Sequence, residues 1–253
     1  MTEPPVLVTG GSGTLGRRVV AELAARSVPA RVLSRSAATA VGTAVTVPGN
    51  LATGLGLGEA TRGVRAVVHC ATRPTRVRAV DIEGTQRLLL ALRVASPQAH
   101  LVYVSIVGCD ANPLPYYRAK AAAETAVDLS PTPASVVRAT QFHELVRRLA
   151  ARSNFRVAGL SVRGLRFQPC DPAYVAARLV DVALGPRLQR RLDLAGPQVL
   201  TFTQAVRAVT GVDRVLELPP VGAVLRAFAT GSNLPGPAAQ VGGRSFQDWL
   251  AAR

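Results

Sequence analysis

The feature that most constrains this chain is a turn near its start. Pro5-Val6-Leu7-Val8-Thr9 reads as a short buried strand, and Gly10-Gly11-Ser12-Gly13-Thr14-Leu15-Gly16 follows it at once. From Thr14 to Ser27 the apolar residues Leu15, Val19, Val20, Leu23 and Ala24 recur at helical spacing. Strand, glycine turn and amphipathic helix in that order predict the first crossover of a parallel sheet. Gly10, Gly13 and Gly16 stand three apart, and each position has a steric purpose. The first permits a tight turn, the middle one lets backbone approach a ligand, and the third lets helix pack on strand. The helix that follows presents free N–H groups and the positive end of its dipole, so the ligand that fits is an anion such as a pyrophosphate. Residues Gly10 to Gly16 are therefore read as a dinucleotide cradle. A glycine-rich turn without a ligand is the alternative.

The rest of the chain extends the same pattern. Further strands are expected at Ala30–Leu33, Ala44–Val47, Ala66–His69, Leu101–Val104 and Ser135–Val137. Helices are expected at Asp81–Val94 and Tyr116–Leu129, the second stopped by Ser130-Pro131-Thr132-Pro133. Alternating strands and helices imply an α/β fold, a doubly wound parallel sheet with right-handed crossovers. Beyond about residue 150 the alternation weakens. Short strands are expected at Phe155–Leu160, Leu165–Phe167 and Arg191–Leu194, with helices at Pro172–Leu184, Thr203–Val209, within Pro219–Ser232 and at Ser245–Ala252. The expectation is a core over 1–150 and a smaller region, 151–253, that covers a substrate cleft within a single structural domain.

Composition narrows the function classes. No apolar run is long enough to span a membrane, and Met1-Thr2-Glu3-Pro4-Pro5 has no basic region of the kind that opens a secretory signal. Cys70, Cys109 and Cys170 lie far apart, which argues against a zinc site and against a disulfide framework, so a cytoplasmic location and no bound metal are expected. The net charge of +15 is spread singly and in pairs, and aromatic residues are few. That distribution argues against a nucleic-acid partner and leaves a small molecule as the expected one. A monomer or homodimer is expected. One compositional feature is sharp: of 30 basic residues other than histidine, Lys120 alone is lysine. A lysine amine can shift its pKa and exchange a proton, whereas arginine keeps its charge.

The ends of the strands supply the remaining candidates. After the second strand the chain reads Ser34-Arg35-Ser36, with no acid to meet ribose hydroxyls and with a guanidinium suited to a 2′-phosphate. This points to NADP(H). Cys70-Ala71-Thr72, after the fourth strand, and Ala139-Thr140-Gln141-Phe142, at the end of the sixth, lie at the carboxyl edge where such sheets bind ligands. His143 follows as a candidate substrate contact, or as a helix-start residue facing solvent. His69 is read as lining the cleft.

These residues resemble the short-chain dehydrogenase/reductase superfamily, and within it the atypical, NmrA-like branch. The resemblance rests on Thr9 to Gly16, on Tyr116-x-x-x-Lys120, on Arg138 to Phe142, on Asp81-Ile82-Glu83-Gly84-Thr85 and on the tail Gly242 to Leu250. It implies a Rossmann-type fold, with Asn50 and Leu51 at the adenine. It also implies Ser105, Tyr116 and Lys120 in catalysis, with Ser105 and Lys120 touching the cofactor as well. Tyr116 would protonate a carbonyl oxygen while Lys120 lowers the phenol pKa and holds a ribose. Three departures stand out: Asn50 where the superfamily often has Asp, Ile106-Val107-Gly108 directly after Ser105, and a short spacing from Ser105 to Tyr116. Two functions are therefore expected: NADP(H)-dependent reduction of a small carbonyl or enone, or a catalytically silent NADP(H)-binding redox sensor.

Overall fold

The computed structural model describes residues 3–36, 42–155 and 158–252. Met1 and Thr2 of the terminal segment, and residues 156–157 of the strand expected at Phe155–Leu160, lie outside the described residues. In chain order the first elements are β1 (Val6–Thr9), α1 (Thr14–Ala25), β2 (Ala30–Ser34), β3 (Val45–Pro48), α2 (Leu57–Thr61), β4 (Ala66–His69), α3 (Glu83–Ala95), β5 (His100–Ile106), α4 (Pro115–Asp128) and β6 (Ala134–Ala139). They are followed by α5 (His143–Arg152), β7 (Asn154–Phe155), β8 (Ala158–Val162), β9 (Arg166–Phe167), α6 (Pro172–Leu184), β10 (Leu192–Ala195), β11 (Leu200–Thr201), α7 (Phe202–Thr210), β12 (Val215–Leu218), α8 (Gly222–Ala229), β13 (Gln240–Val241) and α9 (Phe246–Ala251).

The chain forms two compact units that interleave in sequence. One comprises Met1–Ser105, Ala119–Val137 and Val175–Arg191; the other comprises Ile106–Arg118, Arg138–Tyr174 and Leu192–Arg253. The division thus runs through β5, α4, β6 and α6.

In the first unit the strand order is β6-β5-β4-β1-β2-β3. The pairs β1·β2, β1·β4, β2·β3 and β4·β5 are parallel. The order reverses at β1, so right-handed crossovers place helices on both faces of the sheet. This is the Rossmann-type, doubly wound arrangement, and its ligand crevice lies beyond the carboxyl ends of β1 and β4. Strands β1 and β4 are buried at all four positions, as strands covered on both faces must be. α1 buries Leu15, Gly16, Val19, Val20 and Leu23, while Ala24 is exposed. α3 buries Leu88, Leu89 and Leu92 against Leu7, Leu33, Leu101 and Tyr103.

The second unit has its own core. Val146 and Ala150 of α5, Ala205 and Val206 of α7, and Phe246 and Trp249 of α9 pack with Phe167 and Phe202. β12 pairs parallel with β8, and β10 parallel with β13. Thr201 caps α7 with a reciprocal Thr201–Gln204 capping box, and Ser245 caps α9 through Asp248 N–H. No helix among the described residues is long and apolar enough to cross a membrane.

Candidate functional site

The first unit builds a cradle from the glycine loop. Gly10 has φ of +69°, and a Cβ there would stand 2.7 Å from Ala71 Cα. A Cβ on Gly11 would stand 2.7 Å from Val32 Cγ1, and one on Gly16 would strike the Gly10 carbonyl. These three glycines are therefore required by the protein itself. Gly13 differs. It is exposed, its conformation is extended, and a Cβ would meet only Gly10 O, at 3.2 Å. The space beside Gly13 is left for something other than protein. Helix α1 has neither a capping side chain nor an acid in its first turn, so the N–H groups of its first turn await an anion. Ser12 is exposed and Thr14 half-buried beside them, while the Leu15 side chain is in the core and offers the ligand only its backbone. These residues fit a dinucleotide pyrophosphate.

The second and third strand ends meet beside that cradle. Gly49 N donates to Ser34 O at 2.7 Å, which brings Ser34-Arg35-Ser36 next to Gly49-Asn50-Leu51. Arg35 is exposed and has no ion-pair partner among the described residues. Ser36 N donates to Ser34 Oγ at 3.3 Å. The Asn50 side-chain oxygen accepts from Ala52 N at 2.9 Å, which leaves its Nδ2 and a second lone pair of that oxygen for a ligand. Leu51 is buried against the α3 entry at Gly84.

The fourth strand ends in a fully buried histidine whose bonds fix one tautomer. Thr85 Oγ1 donates to Asp81 O at 2.6 Å, so it can only accept from His69 Nε2, at 3.0 Å. His69 Nδ1 therefore accepts from the Thr9 hydroxyl at 2.5 Å, and Ala71 N donates to Thr9 Oγ1 at 3.3 Å. Burial, with the Lys120 charge adding to it, pushes the His69 pKa down to about 3. The ring stays neutral and ties Thr9, the residue before Gly10, to Thr85, while the Thr9 hydroxyl itself holds Ala71 N. Cys70 is beside it; burial raises its thiol to about 12, which makes it a poor nucleophile.

Lys120 lies in the same unit and is buried. Its ammonium donates to Val104 O at 3.1 Å, pairs with Asp81 Oδ1 at 3.3 Å, and sits 5.1 Å from the centre of the Tyr103 ring. Asp81 is wholly buried and also accepts from Thr72 Oγ1 at 2.5 Å and from Arg73 N at 3.0 Å. It belongs to a π-helical turn, Arg78–Ile82, that enters α3, where the sequence suggested an ordinary helix start. Such turns mark functional segments often enough to draw the eye. The sequence reading passed over Asp81 as a site residue, although its D-x-x-G-T segment was visible. Ser105, at the edge of this unit, is buried at the end of β5.

The second unit holds the remaining candidates. Tyr116 is half-buried on α4, one turn before Lys120 in the same helix. Its neighbour Tyr117 is buried and carries more structure than the sequence suggested. Gln141 Nε2 donates to Tyr117 Oη at 2.9 Å, and Asn233 Nδ2 donates to Gln141 Oε1 at 3.2 Å and to Arg166 O at 2.9 Å. The Tyr117 ring stands edge-on to Phe228 and Tyr116, and burial pushes its phenol pKa up. Thr140 is fastened by its hydroxyl to Gln168 O at 2.6 Å, Phe142 bridges to Cys170, and Ala139 is buried. His143 is fully buried rather than solvent-facing. Its Nε2 faces Arg244 O at 3.0 Å, and its ring packs on Phe246 and Trp249, where burial lowers its pKa. Its contacts are those of an anchor for the tail. No group of three or more His, Cys, Asp or Glu among the described residues could hold a metal.

No curated protein matches the chain. Solved structures match its fold throughout. An NADPH-dependent quinone oxidoreductase from Escherichia coli, complexed with NADPH, superposes with a TM-score of 0.82 at 16% identity, covering 98% of this chain and 99% of that one. A nucleoside-diphosphate-sugar epimerase from Staphylococcus aureus gives 0.81 at 14% identity, covering 97% and 99%. A short-chain dehydrogenase/reductase superfamily protein from Agrobacterium tumefaciens with bound NAD gives 0.70 at 20% identity, covering 86% and 87%. The profile of the NAD(P)H-binding family matches residues 10–162, which take in the glycine loop, the buried His69 and Asp81, and both tyrosines of α4. The chain belongs to the NAD(P)H-binding family.

Proposed function

We propose that this protein is an NADP(H)-dependent oxidoreductase that reduces a small carbonyl or enone. The observation that carries the reading is α4, which bears a half-buried tyrosine and, one turn on, the chain's one lysine with its ammonium buried and held. The bound nicotinamide would supply the hydride. Tyr116 would give its proton to the carbonyl oxygen, and the Lys120 charge would make that phenol more acidic. Ser105 would orient the carbonyl through its hydroxyl. Cys70 to Thr72 and Ala139 to Phe142 would border the cofactor. Preference for NADP(H) is supported by the exposed Arg35 and by the lack of an acid in Ser34-Arg35-Ser36. The likeness to a quinone oxidoreductase complexed with NADPH supports the same class of cofactor and acceptor.

A second reading is favoured by one observation. The Lys120 ammonium is already engaged by Asp81 and Val104 O, as it would be in a catalytically silent NADP(H)-binding sensor. NADPH consumption over a panel of aldehydes, ketones and quinones separates the two. The reductase reading expects turnover that falls roughly 10²-fold or more in Tyr116→Phe while NADPH still binds. Tight NADPH binding with no turnover on any acceptor would replace it with the sensor.

A further inference from the structure

The hydrogen bonds of Tyr117 have a direction that can be worked out from one end. Arg166 O is a carbonyl and only accepts, so the Asn233 atom facing it at 2.9 Å is the amide nitrogen. That nitrogen also faces Gln141 at 3.2 Å, so the Gln141 atom there is its oxygen. The other Gln141 atom is then the amide nitrogen, and it donates to Tyr117 Oη at 2.9 Å. The phenol oxygen is thereby used as an acceptor. Its own proton has no acceptor among the described residues, although Tyr117 is only 3% exposed. A buried hydroxyl proton without a partner is costly, and the ring cannot swing away to find one, because Phe228 and Tyr116 stand edge-on to it at 5.5 and 6.3 Å.

We infer that Tyr117 is a preset hydrogen-bond donor for the carbonyl oxygen of a small neutral substrate. The assignment rests on the reductase reading for the identity of that oxygen. The relay from Arg166 O through Asn233 and Gln141 contains no formal charge, so it fixes the phenol without ionising it. Burial raises the cost of the phenolate as well, so Tyr117 keeps its proton and binds the oxygen without giving the proton up. This separates the adjacent tyrosines: Tyr116 would transfer a proton, and Tyr117 would hold and polarise the acceptor. Asn233 is 92 residues from Gln141 in sequence, and its loop is tied down again by Asn112 Nδ2, which donates to Ser232 Oγ at 3.2 Å.

The test uses the full chain with saturating NADPH. A panel of small aldehydes and ketones is measured twice, by steady-state turnover and, independently of turnover, by ligand-observed NMR binding. Tyr117→Phe is expected to weaken binding roughly tenfold, raising KM more than it lowers kcat, with NADPH affinity retained. Gln141→Glu keeps the tyrosine but offers it a carboxylate, which draws the phenol proton inward. It should copy Tyr117→Phe and recover as pH falls and the carboxyl becomes a donor again, a response that loss of packing would not give. If Tyr117→Phe does not fold, Gln141→Glu decides alone. Binding and KM equal to the parent's in the deciding variant overturn the inference and leave the reductase reading intact. Panel members that bind the parent without turnover sink the reductase reading, and the NMR comparison still decides on Tyr117. A panel that neither binds nor turns over refutes both.

Discussion

Removing the Lys120 ammonium should destabilise the protein even with no cofactor present, and the size of the effect follows from its surroundings. Lys120→Met keeps the length of the stem and deletes the charge. Asp81, with no exposed surface, then holds its carboxylate on two remaining donors, Thr72 Oγ1 and Arg73 N. Breaking a buried pair by removing one partner costs about 3–5 kcal/mol, and the two surviving donors argue for the lower end. At about 2–4 °C per kcal/mol for a chain of this size, the melting temperature should fall by about 6–12 °C. Asp81→Asn should lower it comparably, because the buried ammonium keeps Val104 O and the Tyr103 face but loses its carboxylate. The double variant removes both charges, so its loss should be smaller than the sum of the single losses by about 2 kcal/mol or more. Thermal melts by circular dichroism, without cofactor, measure all four corners of the cycle. Single variants that melt with the parent, or a double variant that is simply additive, would refute the view that Lys120 and Asp81 are a coupled buried pair.

Three further outcomes are expected. Arg35→Ala should reduce a preference of NADPH over NADH by about 1.5–3 kcal/mol, the worth of a hydrogen bond to a charged group; calorimetric titration checks it, and equal affinities in the parent would remove its basis. Gly13→Val should abolish cofactor binding with little change in melting temperature, whereas Gly16→Ala should lower melting temperature itself, because its Cβ meets the Gly10 carbonyl; the two readouts swapping places would mean the loop has been misread. His69 is neutral in the fold with a pKa near 3 and ordinary once unfolded, so the unfolded state binds more protons between those values. Its contribution is complete above about pH 6.5 and drains away as pH falls, by up to about 1.4 kcal/mol per pH unit; His69→Gln should flatten that slope in melts taken from neutral to acid pH.

The elements that were legible in the sequence are those whose neighbours in sequence decide them. Pro172–Leu184 is bounded as read, since proline suits a first helical turn and Val175, Leu179 and Val182 face one way. The glycine loop was legible because its sterics are local. The reading failed where partners are remote or segments short. β11, β12 and β13 are strands of two to four residues, largely exposed at their ends, and α2 is a five-residue helix with glycine inside it; none has a period long enough to see. α5 buries only His143, Val146 and Ala150 on a helix otherwise rich in arginine, so its apolar face is thin in the sequence. The interleaving of the two units and the Tyr117–Gln141–Asn233 relay depend on contacts between distant segments, and no local pattern announces them.

Lys120 shows how a compositional signal can point to the right residue for an incomplete reason. The sequence argument was that lysine alone can tune its proton affinity. The structure supplies a requirement that holds even if no proton ever moves. Val104 O at 3.1 Å, Asp81 Oδ1 at 3.3 Å and the Tyr103 face at 5.1 Å surround a single point. An ammonium has three donors that rotate about one atom and can meet such a set. A guanidinium spreads its donors over a rigid plane and adds bulk in a site that is 4% exposed. A chain that uses arginine at every other such position would therefore have to keep lysine here, whether it reduces a substrate or only holds a cofactor. The lysine marks the place, and the two tyrosines of α4 decide the chemistry: a reductase needs the Tyr116 proton, while a silent binder can lose that hydroxyl and keep its cofactor.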